Sequence, residues 1–509
     1  MSKKINIACL VILLLPLMVI GQTQNLVTDY NADSTIRGEG LVDQNNLKQG
    51  NWTYYDRNGN VLQMGRFVDD QRTGVWLVYD QRGNIVMETN FVDGISDGTL
   101  RKFYPGKKLK SEGEIKDNIR VGQWKEYHEN GKLKLEGNYF NGLKAGKWKT
   151  YYYSGQLESE ATYSEDSLNG TYTSYYIIGT KKSVAEYKNG KKYGKYEEYF
   201  ENGETKTSGI YQNDLKIGEW KEFYDNGMVK AELSYKNGLP DGQWTYYFPF
   251  SGIERQITFK DGLETGEYIE NFPNNQPSVR GQFEKGMRTG IWYNYHENGK
   301  IYSFGEYKEN EKEGNWKYFD DRGKLVAEGP FKNGKENGQW YFYYENGVLK
   351  TIGSFENGEE VGLWGNFHPN NVLKIEETYL DGKLVKTGPF FTAYGEALDA
   401  GNISDGNGTY KTYYNNTRLH EEFTYENGLK NGPAKSYFED GDIAAEGNYE
   451  NDKKNGLWKF YHKNGNIESQ GNYKDGEPDG LWVFFNRSGK AIDRKNYTSI
   501  RNIEESLEE

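Results

Sequence analysis

The chain has a single cysteine, Cys9, in 509 residues. No disulfide can close within it, and no cysteine-based metal cluster can be built. Histidine is also scarce, at five, and proline stands at 11. Only 35% of the residues are hydrophobic and the mean hydropathy is −0.93, too polar for several aliphatic cores of ordinary size. Beyond residue 21 there is no long apolar run. Basic charge is in deficit: 63 Lys and Arg against 75 Asp and Glu leave a net charge of −12. That balance argues against a nucleic-acid partner, which needs a basic surface. One local exception is KKSVAEYKNGKK at 181–192.

The apolar residues that do run together lie at the start. Lys3 and Lys4 precede IACLVILLLPLMVI, which ends before Gly21. The run is short for a membrane span, no stop-transfer flank follows, and Val19 and Gly21 are small enough for a signal-peptidase site. Residues 1–21 are expected to be a signal peptide. Its removal takes Cys9 with it and sends the product to the periplasm, the cell surface or the medium.

What the chain has in abundance is glycine (62), tyrosine (43) and tryptophan (12), and these recur with a period. All the tryptophans share one column at a 24-residue step: Trp52, Trp76, Trp124, Trp148, Trp220, Trp244, Trp292, Trp316, Trp340, Trp364, then Trp458 and Trp482 after one break in phase. Leu100, Tyr172, Tyr196, Tyr268, Tyr410 and Ala434 fill the remaining places. Glycine stands two residues before, as at Gly122 and Gly146, and an aromatic stands three after, as at Tyr127 and Tyr151. A second aromatic follows at Tyr139 or Tyr163, then a turn pair such as Asn141-Gly142. Asn-Gly between aromatic-rich runs is the strongest short hairpin signal, because the primed turns need positive φ.

Each unit is therefore expected to be strand, turn, strand, turn. Leu133, Leu135, Gly137 and Tyr139 alternate onto one face. Trp124 and Tyr127, three apart, break that parity, so either a bulge separates them or both faces carry rings. The mid-strand glycines, such as Gly65, Gly113 and Gly137, are expected to make room for a neighbouring ring. Helices are excluded by the recurrence of Gly and Asn.

The text G-x-W-x-x-Y-x-x-N-G-x-L-x-x-E-x-x-Y-x-N-G, as at Gly122 to Gly142, resembles the MORN repeat, specifically the bacterial variant class often labelled YwqK-type antitoxin. The resemblance spans about Tyr30 to Tyr497. It implies an all-β fold: an elongated array of antiparallel β-hairpins in 24-residue MORN-like units, forming a twisted single-layer meander sheet. The expected layout is a signal peptide (1–21), a lead-in and partial repeat (22–49), a regular array (50–386), an irregular repeat (387–409), C-terminal repeats (410–499) and a charged tail (500–509). The resemblance also implies scaffolding, dimerisation, or binding of proteins and lipids.

Chemistry has few places to sit. His128, His296, His368 and His462 share the column four after the tryptophan, but repeats several strands apart cannot bring them to one metal. The glutamate column, Glu88, Glu112, Glu136, Glu160, Glu328 and Glu446, reads as a solvated stripe, since a hydrolase needs one carboxylate pair in a cleft. No G-x-S-x-G, H-E-x-x-H, P-loop or EF-hand pattern occurs. No catalytic residue, cofactor or metal is expected, and the chain is read as a non-enzyme.

Uniqueness is expected where the repeat breaks. Trp364 and Tyr410 are 46 residues apart, two short of two units. In the segment 387–408, Gly388 and Phe390 are read as taking the Gly and Trp columns, with two residues inserted before them and about four lost after. Phe390, Phe391 and Tyr394 are the candidate partner-binding residues. The function expected is an exported, non-catalytic scaffold for protein–protein contacts, with the partner's identity and the oligomeric state left open. Two other classes stay in view: a neutralising protein of antitoxin or immunity type, and a glycan-binding surface protein using its double aromatics. No motif supports membrane contact.

Overall fold

A computed structural model describes residues 24–497. The signal-peptide and charged-tail readings lie outside the described residues. Every element from Asn25–Tyr30 to Ala491–Asn496 is a β-strand, with no helical element among the described residues. The chain is all-β, and successive strands pair antiparallel with their chain neighbours as a meander. It divides into two compact units, Met1–Leu239 and Pro240–Glu509. The division falls inside the stretch 50–386 that the sequence presents as one regular array.

The strands Ile119–Tyr127, Leu133–Phe140 and Leu143–Tyr151 show how one repeat is made. At the Asn141-Gly142 turn both residues have positive φ, 49° and 81°, as a two-residue primed hairpin turn requires. At the other turn only Gly131 is left-handed, and its N–H donates to the His128 carbonyl at 2.9 Å. Two register shifts recur. One lies between Leu133 and Leu135, opposite Glu126 and Tyr127. In the other, Glu136 pairs with Lys149 and Asn138 with Ala145, so Gly146, Lys147 and Trp148 face Gly137 alone. Gly146 makes this bulge with φ 71°.

Those shifts settle the parity of the aromatics. Trp124 and Tyr127 point to opposite faces. Trp124 is buried over Gly113, whereas the Tyr127 hydroxyl donates to Glu112 at 2.8 Å on the other side of the sheet. Both faces carry rings, and the bulge lies on the partner strand rather than between the two residues.

The ring face is the core. Eleven of the 12 tryptophans are buried. Each lies flat on a glycine of the preceding strand, as Trp76 on Gly65, Trp148 on Gly137, Trp316 on Gly305 and Trp482 on Gly471. A Cβ at any of these glycines would overlap the indole, so glycine is required there by contact rather than by φ. The exception is Trp244: the residue eleven before it is Leu233, not glycine, and Trp244 is half-buried. Aromatics of the second strand stand edge-on between indoles; Tyr139 lies 5.8 Å from Trp124 and 5.1 Å from Trp148, both near perpendicular. In most repeats the indole N–H is satisfied as well, donating from Trp148 to the Asn138 carbonyl at 3.2 Å and from Trp458 to the Asn448 carbonyl at 2.9 Å. The opposite face carries Lys–Glu pairs, such as Lys149–Glu160 and Lys221–Glu232, half-exposed and worth little each.

Candidate functional site

The histidine column has a structural occupation. His128 Nε2–H donates to the Tyr151 carbonyl at 3.0 Å, 23 residues on. His296, His368 and His462 make the same bond to Phe319, Phe391 and Phe485. Where tyrosine holds the column its hydroxyl does the same: Tyr152 to the Tyr175 carbonyl at 2.7 Å, Tyr344 to the Phe367 carbonyl at 2.8 Å. Turn asparagines add a parallel row, Asn130 to Tyr153 and Asn464 to Arg487. These bonds staple each turn to the next repeat and engage Nε2 of each of the four column imidazoles. Among the described residues no group of three or more His, Cys, Asp or Glu is placed to hold a metal ion.

This 23-residue ladder also measures the irregular repeat. His368 reaches Phe391, and Asn370 reaches the Ala393 carbonyl at 2.8 Å. The spacing from Trp364 is therefore regular as far as Ala393. Gly388, 24 residues after Trp364, stands in the tryptophan column, and Phe390 does not. The expected insertion before Gly388 is absent; the two missing residues are lost between Ala393 and Tyr410. The sequence pattern misplaced them because a Gly-x-Phe triplet imitates Gly-x-Trp.

Gly388 brings no ring, and the space is filled otherwise. Glu377 stands 13 after Trp364, where Gly137 stands after Trp124. It is 9% exposed. One carboxylate oxygen accepts the Asn366 side-chain amide at 2.8 Å and the other accepts the Tyr410 hydroxyl at 2.6 Å. The Asn366 carbonyl in turn accepts Thr351 Oγ1 at 2.9 Å. A buried carboxylate without donors would be costly, and two donors offset that cost. Burial, then the Glu377 charge, push the Tyr410 phenol far above its ordinary range, so it stays a donor. The Trp364 indole N–H has no hydrogen-bond partner among the described residues.

Of the three candidate partner residues, Phe390 is a core side chain at 2% exposure. It packs with Ile375 and Ala400 and lies 5.1 Å from the Tyr413 ring. That removes it from any set of surface anchors; the short Phe390–Phe391 strand pairs with Ala397–Leu398 and turns Phe390 inward. Phe391 is half-buried, with its carbonyl taken by His368. Tyr394 is 90% exposed at the hairpin tip. The base below is fixed: Tyr413 donates to the Asp399 carbonyl at 2.6 Å, and Lys411 pairs with the Asp399 carboxylate at 2.7 Å.

Sequence reasoning missed one column. Four residues before many tryptophans stands Lys or Arg, and the cation lies over the indole: Arg72 at 4.2 Å from the Trp76 ring, Lys144 at 4.7 Å from Trp148, Lys312 at 4.4 Å from Trp316. The recurrence of a basic residue at that offset was its signal.

Fold and site define a repeat-built all-β protein whose polar side chains serve mainly to join one repeat to the next. The MORN repeat variant model matches residues 48–69, 120–141, 144–165, 216–237, 288–309, 312–333, 336–357, 430–451 and 454–475, and the chain is a MORN-repeat protein. No curated protein matches it. Among solved structures, it is similar to a chain of TcdB2-TccC3-TEV, with 11% identity over 93% of this chain and 25% of that one, at a TM-score of 0.14. It is also similar to a chain of the Tc holotoxin pore of Photorhabdus luminescens, with 12% identity over 91% of this chain and 26% of that one, at the same TM-score of 0.14. The chain thus spans about a quarter of the length of either.

Proposed function

We propose that this protein is an exported, non-catalytic scaffold that binds a protein partner through the irregular repeat. The supporting observation is how its reactive side chains are used. The histidines, turn asparagines and column tyrosines bond to the backbone of the next repeat, and the buried Glu377 is held by Asn366 and Tyr410. Groups committed in this way serve assembly of the array. A periodic surface presents the same features at every step, so a single partner needs a break, and the Tyr394 hairpin is an aromatic tip on a fixed base. Export rests on the Lys3-Lys4 start and the apolar run after it.

A photo-crosslinking residue at position 394, in protein recovered from outside the cytoplasm of its own cells, tests the reading. One dominant adduct is expected, absent when the same residue is placed at Gly203 in a regular turn. Equal adducts from both positions, or an uncleaved product confined to the cytosol, would overturn it.

A further inference from the structure

Two residues after the tryptophan, a third ring covers the indole in several repeats. Tyr54 stacks on Trp52 at 5.9 Å, Phe342 on Trp340 at 5.9 Å and Phe460 on Trp458 at 6.0 Å. In the stretch 196–230 that column holds Glu198 and Glu222 instead. No ring stands in that column there, and a depression of about 390 Å³ opens, lined by the half-buried Tyr196 and Tyr211 and by Trp220, which stays buried against Tyr196 and Lys216. The volume is within the range of small-ligand sites.

The polar groups around it differ in how far they are engaged. Glu198 accepts Lys206 Nζ at 2.9 Å and the Tyr196 hydroxyl at 3.3 Å. Glu222, the Thr207 hydroxyl and Lys230 also line the depression, and among the described residues they have no side-chain hydrogen bond or ion pair. The Lys216 ammonium lies over two rings, 4.3 Å from the centre of Trp220 and 4.9 Å from that of Tyr235. Burial lowers its affinity for a proton, partly offset by Glu222. Thr207 pairs with both Glu198 and Glu222 across the strands, so the free acceptor and the free hydroxyl lie side by side on this face.

Half-buried tyrosine rings beside a carboxylate, a hydroxyl and ammonium groups suit a ligand with apolar C–H faces and many hydroxyls that both donate and accept. A peptide adding as a strand finds no place, because Thr205–Gln212 and Leu215–Phe223 are paired on both sides. We propose that this depression binds one or two sugar rings of a polysaccharide, with Glu222, Thr207 and Lys230 bonding their hydroxyls. The site is independent of the partner reading at Tyr394.

The test is electrophoresis of the full chain through gels cast with xylan, mixed-linkage β-glucan or polygalacturonate. Retardation in at least one gel is expected. Glu222→Phe installs the cover seen at Phe342 and Phe460, so it should keep or raise the melting temperature while weakening binding at least tenfold. Glu222→Gln, which keeps the shape, should weaken it several-fold and serves if the Phe variant does not fold. No retardation in any of the three gels overturns the proposal, as does retardation that both variants leave unchanged.

Discussion

Gly137 lies beneath the indole of Trp148, and a Cβ on it would overlap the ring carbons Cγ, Cδ2 and Cε2. The relationship recurs at eleven glycine–tryptophan pairs, from Gly40 and Trp52 to Gly471 and Trp482. Gly137→Ala should cost about 1–3 kcal/mol through overpacking, and Trp148→Ala about 3–5 kcal/mol through the cavity it leaves. The two should not add, because the atoms nearest the new methyl belong to the indole and leave with it. Urea unfolding of both singles and the double checks this; strict additivity would mean that the pair does not touch.

Gly146 needs glycine for a different reason. Its φ is 71° and no atom lies within 4 Å of a would-be Cβ. Gly146→Ala should cost about 1–2 kcal/mol from backbone strain alone, and Gly146→Asn less, since Asn tolerates that region. Gly146→Val should be the worst of the three. Equal melting temperatures for the three variants would show that the bulge relaxes.

Removing residues 124–147 should leave a folded protein of lower stability. The junction places Trp148 where Trp124 was, over Gly113, and the 23-residue bonds find the same column types on the new neighbour. Far-UV circular dichroism should keep its β-sheet form, with an earlier midpoint in urea. Loss of all β signal would mean that contacts extend beyond nearest neighbours.

At the irregular repeat, Tyr394→Ser should leave thermal stability within error. Phe390→Ser should lower it by roughly 3–5 kcal/mol, as loss of a buried aromatic does. Tyr410→Phe should cost about 1–3 kcal/mol by leaving one oxygen of Glu377 without its donor. Calorimetry on the three variants distinguishes core from tip; a Tyr394 variant as unstable as the Phe390 one would contradict the placement.

Alkaline stability should follow the tyrosines of the charge face. Burial, then bonds to Glu112, Glu328 and Glu446, raise Tyr127, Tyr343 and Tyr461 to about 12 from an ordinary 10.0. Above pH 10 the unfolded chain releases phenolic protons that the folded one keeps. Their contribution is thus complete below pH 10 and is lost as pH rises from 10 to about 12. Phenolate absorbance should lag behind free tyrosine and then rise together with loss of β signal. Full ionisation at pH 10 with the sheet intact would refute this.

By itself the sequence determined the period, the hairpins and the chemistry of the turns. Those depend on neighbours along the chain: Asn141-Gly142 must turn, and Leu133, Leu135 and Gly137 must alternate. The ring-sized space over the mid-strand glycines was legible too, because eleven-residue Gly–Trp spacings repeat. Only the tertiary structure decided what lies across a strand. It placed Trp124 and Tyr127 on opposite faces, put Gly388 rather than Phe390 in the tryptophan column, and turned Phe390 inward. It also joined Glu377 to Tyr410, 33 residues away, and opened a depression beside Glu222, Tyr196 and Tyr211. Each of these depends on register, and a bulge of one residue shifts register without leaving a mark in the local pattern.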